Sequence, residues 1–143
     1  NEQTPHFIAE KLEELLAVSG KRLAGSRVLV LGRSFKENCP DTRNSKAFIL
    51  MDALWNRGVD VCNFDPVAID DHFEGGRGVN ITSDPFAEEP FDAIVFTLTH
   101  EIFRQQLDAE ALKLLGNRQA PLIDLRGNFE CDAVKDWFRY WRP

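Results

Sequence analysis

An α/β fold, with a doubly wound, mainly parallel sheet and helices on both faces, is what this sequence predicts. Three observations carry that expectation. Short apolar runs of four to six residues alternate with amphipathic helical stripes. The first run, Val28-Leu29-Val30-Leu31, has no polar face, as a strand covered on both sides requires. Between it and the second run, Val59 to Phe64, lies one helical stripe, the layout of a strand–helix–strand unit with parallel strands.

The elements follow in order. Thr4-Pro5 reads as a cap followed by proline at the first helical position. Phe7, Ile8, Leu12, Leu15 and Leu16 then form a stripe that should end near Ser19-Gly20. After the strand Val28–Leu31 comes a polar turn and a helix starting near Asn44 or Ser45. Ala47, Leu50, Met51 and Leu54 give that helix its core face, and Gly58 closes it. A second strand runs to Phe64, where Asp65-Pro66 should end it and fix the turn. Gly75, Gly76 and Gly78 mark a loop, Val79-Asn80-Ile81 at best a short strand, and Pro85 to Pro90 a single helical turn. Ala93–Phe96 is a buried strand, and Leu107, Ala111, Leu114 and Leu115 form a helical stripe. Pro121–Leu125 is expected to be the last strand, followed by an aromatic tail, Trp137 to Trp141, that packs on the domain or a neighbouring subunit.

With 143 residues and 43% hydrophobic content, the chain can bury the core of one domain. Its net charge of -6 argues against a partner that is nucleic acid, whose phosphates call for a basic surface. No apolar run approaches the length of about 18 residues that would suggest a membrane span. The odd, widely spaced cysteines Cys39, Cys62 and Cys131 indicate neither a disulfide framework nor a structural metal, and suit a reducing, cytoplasmic setting. The chain opens directly into a helix without an initiator methionine, as one domain of something longer would.

The stretch with the most chemistry is Gly32 to Lys46, because open α/β sheets place ligands beyond the C-terminal ends of their strands. A dinucleotide turn needs three glycines there. Gly32-Arg33-Ser34-Phe35-Lys36-Glu37 has one, and Asp65 lies 33 residues beyond it rather than about 20. Another anion is better served. Lys36 supplies a point charge, Arg43 a bidentate fork, and the following helix free N–H groups, while Phe35 could lie against a base or ribose. The plain alternative pairs Lys36 and Arg43 with Glu37 and Asp41 in a solvated turn. His100 is expected to cap the helix after it, His6 and His72 to be surface groups with no partner, and Cys39 to be a packed or inert thiol.

Phe35-Lys36 followed by Asp41-Thr42-Arg43-Asn44-Ser45 resembles a signature of the UDP-glucose/GDP-mannose dehydrogenase family, in its C-terminal UDP-binding domain. Phe91–Val95 with Thr99-His100-Glu101 and Phe103 resembles a second landmark, and Ile123–Gly127 a third. Asn38-Cys39-Pro40 is most similar to members that oxidise UDP-N-acetylhexosamines. The resemblance implies a Rossmann-like domain covering the nucleotide end of a UDP-sugar, in a cytoplasmic enzyme of polysaccharide precursor synthesis that is a homodimer at full length. Two NAD-dependent oxidations there take the sugar C6 alcohol to a carboxylate through a thiohemiacetal and a thioester on a cysteine. By that resemblance Phe35, Lys36 and Arg126 hold the UDP-sugar and Arg43 lies against NAD. Residues 1–20 would be the end of a linker helix and 21–143 the UDP-sugar domain. The glycine-rich NAD segment and the nucleophilic cysteine segment are absent from this sequence, so the chain alone is expected not to catalyse, and Cys39 is not that nucleophile. Two other readings stand beside this one: a structural or oligomerisation module, and a stand-alone regulatory nucleotide binder.

Overall fold

The computed structural model describes residues 4–68, 77–81 and 84–143. Gly75, Gly76 and His72 lie outside the described residues. The chain runs α1 (Pro5–Val18), β1 (Arg27–Leu31), α2 (Lys46–Asn56), β2 (Asp60–Phe64) and β3 (Val79–Ile81). After a 3-10 turn (Pro85–Ala87) come β4 (Ala93–Phe96), α3 (Glu101–Gln106), α4 (Ala109–Leu115), β5 (Pro121–Asp124), α5 (Cys131–Val134) and β6 (Arg139–Trp141).

The sheet order is β3-β2-β1-β4-β5-β6, and every neighbouring pair is parallel. This is the Rossmann-like, doubly wound architecture. From β1 the chain builds outward through β2 and β3, then returns to place β4 on the other side of β1. The reversal opens a crevice beyond the C-terminal ends of β1 and β4, where such sheets bind ligands.

Side-chain alternation along β1 splits the core in two. Val28 and Val30 face α1 and α2, packing with Ile8, Leu12, Leu16, Met51 and Leu54. Leu29 and Leu31 face α3, α4 and α5, packing with Phe96, Phe103, Leu112 and Phe138. The helix ends follow the expected chemistry. Thr4 Oγ1 accepts from the Phe7 N–H at 3.3 Å and Ser45 caps α2, while Gly20 and Gly58 take the left-handed conformation just past α1 and α2.

Three expectations are corrected. Pro121–Asp124 is not the last strand, because Arg139–Trp141 of the tail pairs with it as β6. Leu114 belongs to no core face and is 69% exposed, Leu112 being the buried residue of α4 along with Leu115. His6 has partners, Glu10 at 3.1 Å and Arg57 at 2.6 Å.

Candidate functional site

The crevice begins at Gly32, the first residue after β1. Its φ is 101°, and an added Cβ would lie 2.7 Å from Thr97 Oγ1 and 2.9 Å from Leu98 Cδ1. Only glycine lets the β1 turn nest this closely against the end of β4. Thr97 completes the join, its hydroxyl lying 3.0 Å from the Leu31 carbonyl and 3.1 Å from that of Gly32.

Beneath the turn lies a buried polar network centred on Asp65, at the end of β2. Its Oδ2 accepts from the Arg33 N–H (2.7 Å), the Ser34 N–H (3.1 Å), the Ser34 hydroxyl (3.0 Å) and His100 Nε2 (2.9 Å). Its Oδ1 accepts from the Val67 and Ala68 N–H groups, the local turn expected of an Asp-Pro pair. Burial of the carboxyl favours its neutral form. The hydrogen bonds from His100 and the Arg33 backbone outweigh that and lower its pKa to about 2. Arg33 does not reach into the crevice. Its side chain is buried, with Nη1 on Asn63 Oδ1 and Nη2 on the Ala68 carbonyl.

His100 occupies the cap position of α3, yet its ring makes no capping bond. The imidazole is fully buried, donating from Nε2 to Asp65 while Nδ1 accepts from the Asn38 N–H at 2.9 Å. The cap of α3 comes from the other side of the crevice, where Asn38 Oδ1 accepts from the Glu101 N–H at 2.8 Å.

Above this floor stands a charged rim. Phe35 is 55% exposed and its N–H donates to the Asp41 carbonyl, while Lys36 is exposed beside it. Arg126, after β5, lies across from them, with Nε 3.5 Å from Glu37 Oε1 and 3.3 Å from the Thr97 carbonyl. The Arg126–Glu37 pair thus sets the turn after β5 against the loop that carries Phe35 and Lys36. Arg43 grips Asp41 with Nε and Nη2 at 2.8 to 3.2 Å, a pair that holds the Asp41 carboxyl down at about 2. That pairing is the one foreseen for a solvated turn. Glu37, by contrast, pairs with Arg126. One of the helix N–H groups expected for a ligand, that of Ala47, already donates to the Ser45 hydroxyl.

A cavity of about 340 Å³ lies to the side of this rim, between α3 and the turn into α5, lined by Phe96, Phe103, Leu107 and Phe129. None of Phe35, Lys36, Arg43 and Arg126 lines it.

Sequence reasoning missed Glu37 as a partner of Arg126, Asn38 as the cap of α3, and Asp124 as an anchor of the segment after β5. Asp124 accepts from the Phe129 N–H and the Tyr140 hydroxyl, and desolvation together with that carboxylate raises the pKa of the phenol. The acid-then-asparagine run Glu37-Asn38 was visible, but its partners are 89 and 63 residues away.

A family model described as "UDP-glucose/GDP-mannose dehydrogenase family, UDP binding domain" matches residues 29–130. The UDP-N-acetyl-D-glucosamine 6-dehydrogenase of Salmonella typhi is 29% identical over 126 residues, 88% of this chain and 29% of that protein. The UDP-glucose 6-dehydrogenase of Rhizobium meliloti is 34% identical over 130 residues, 89% of this chain and 29% of its own length. The chain thus spans less than a third of these curated relatives. Among solved structures, the NDP-N-acetyl-D-galactosaminuronic acid dehydrogenase of Methanosarcina mazei Go1 superposes with a TM-score of 0.81 at 25% identity, over 96% of this chain and 28% of that one. The UDP-D-ManNAc dehydrogenase of Pyrococcus horikoshii gives 0.72 at 27% identity, over 98% and 31%.

Proposed function

Since the chain belongs to the UDP-glucose/GDP-mannose dehydrogenase family through its UDP-binding domain, we propose that it holds the nucleotide end of a UDP-sugar within an NAD-dependent 6-dehydrogenase. The observation that carries this reading is the Arg126–Glu37 pair, which sets the end of β5 against the loop that carries exposed Phe35 and Lys36, at the switch-point crevice. In it, Lys36 and Arg126 neutralise the diphosphate and Phe35 lies against the uridine. Phosphate oxygens displace the Glu37 carboxylate from Arg126, exchanging one anion for a more highly charged one.

NAD chemistry supplies the oxidation, and the residues that would hold the cofactor are not in this turn. One glycine, a buried Arg33 side chain and a capping Ser45 leave no cradle for a pyrophosphate on the backbone. Only Arg43, whose side chain is 82% exposed, suits a peripheral contact with the dinucleotide. The chain's part is then to bind and orient substrate, and the catalytic cysteine and the bulk of the NAD site fall to the remaining domains of a full-length homodimer. Residues 1–20 join this domain to them. The three free thiols suit a cytoplasmic enzyme, and a UDP-uronic acid, with a hexose or an N-acetylhexosamine ring, is the kind of product that feeds polysaccharide synthesis.

The test is kinetic. In the full-length enzyme, Lys36→Ala and Arg126→Ala should each cost roughly 1.5–3 kcal/mol in kcat/KM for the UDP-sugar, the worth of a hydrogen bond to a charged group. Unchanged KM and kcat in both variants would remove the assigned roles.

A further inference from the structure

Resting on the UDP-binding reading, we infer that the buried Asp65–His100 pair is the positioning device of the ligand loop, fixing residues 33–38 at both ends so that Phe35 and Lys36 stand over the crevice. At the near end, Asp65 takes the Arg33 N–H, the Ser34 N–H and the Ser34 hydroxyl. At the far end, His100 takes the Asn38 N–H at 2.9 Å. Neither side chain of the pair has any exposed surface, whereas Phe35 and Lys36, carried between the two anchors, face solvent.

The ring can perform both tasks in one protonation state only. Nδ1 accepts from a backbone amide, so the proton sits on Nε2, where it is donated to Asp65. The other tautomer would turn a lone pair toward the carboxylate and an N–H toward an N–H. With both nitrogens engaged and no surface, His100 has no face open to a ligand, so its role is positional. A histidine that merely filled the core would need only Asp65 and the Phe103 ring, 5.1 Å away. Here the second nitrogen is committed to the loop backbone. Asn38 reinforces the contact. It holds a left-handed φ of 58°, unusual for a residue with a side chain, and its Oδ1 is spent on the Glu101 N–H of α3. Loop and α3 are thereby fastened by two reciprocal bonds.

Isosteric substitutions separate the two halves of the device. In His100→Gln the amide nitrogen can stand where Nε2 stood and keep the bond to Asp65, but nothing replaces Nδ1. In His100→Asn the side-chain oxygen can stand where Nδ1 stood and keep the Asn38 bond, while Asp65 loses a donor. The measurement is NMR on the 15N-labelled chain, titrated with UDP. Ring nitrogen shifts of wild-type His100 should report the Nε2–H tautomer. His100→Gln should stay folded, lose the exchange protection of the Asn38 amide, and bind UDP about tenfold more weakly, the effect of one hydrogen bond. His100→Asn should unfold at lower temperature yet, where folded, protect the Asn38 amide and bind UDP more tightly than His100→Gln. A Nδ1–H ring, or a His100→Gln chain with the Asn38 amide still protected and UDP affinity unchanged, would overturn the inference. If the wild-type chain shows no UDP response, the UDP reading falls by itself, and Asn38 protection in the two variants still decides whether the loop is held this way.

Discussion

Asp65 shows how much a single residue can be asked to do. From sequence it was the end of a strand and the start of a turn, and its Oδ1 does make that turn. Its Oδ2 gathers the β1 turn and the β4 exit as well, a role written in residues 31 and 35 positions distant. The consequence is measurable. The folded pKa, about 2, lies below the ordinary range of an aspartate, so the ionised carboxylate is the form that folding favours. Its contribution, about 2 kcal/mol, is fully present above about pH 4 and disappears as pH falls through about 2. Urea titrations from pH 6 down to pH 2 should show that loss in the wild-type chain and a flatter profile in Asp65→Asn. Profiles that coincide would mean the pair contributes nothing to acid stability.

At the scale of elements, the first helix and the tail are instructive. α1 could be taken from its stripe as a connector to something else. In the structure its buried residues, Ile8, Ala9, Leu12 and Leu16, complete the core over β1, β4 and β5. Leu12→Ala should therefore cost about 2–5 kcal/mol in chemical denaturation, as a cavity in a well-packed core does. A cost under about 0.5 kcal/mol, ordinary for a surface change, would show α1 to be only loosely attached. The tail was legible as aromatic but not as a strand. Three residues are too few for a period, and what makes Arg139–Trp141 a strand is the open edge of β5 beside it. Around it Trp137 donates to the Gly116 carbonyl, Tyr140 to Asp124, and Trp141 meets Phe7 of α1 at 5.7 Å between ring centroids.

For the molecule as a whole, the proposed site is a rim assembled from the ends of β1 and β5, with the β4 exit between them. A ligand that binds only this folded arrangement should raise the unfolding temperature with the logarithm of its concentration above Kd. At a hundred times its Kd, UDP should add about 2.7 kcal/mol of stability, several degrees in a calorimetric scan. An unfolding temperature indifferent to UDP would place the nucleotide's binding energy outside this chain. The sequence by itself determined the alternation of strands and helices, the caps at Thr4 and Gly58, the start of α2 near Asn44 or Ser45, and the concentration of charge after β1. These are local properties, set by side-chain periodicity and backbone preference over a few residues. Tertiary structure alone decided that Arg126 faces Glu37, that His100 turns inward to Asp65 and Asn38 instead of capping its helix, and that the tail becomes an edge strand. Each depends on groups dozens of residues apart meeting where the strand order reverses. Hydrogen bonds and ion pairs act over a few ångströms, so their partners are chosen by topology and leave no period in the sequence.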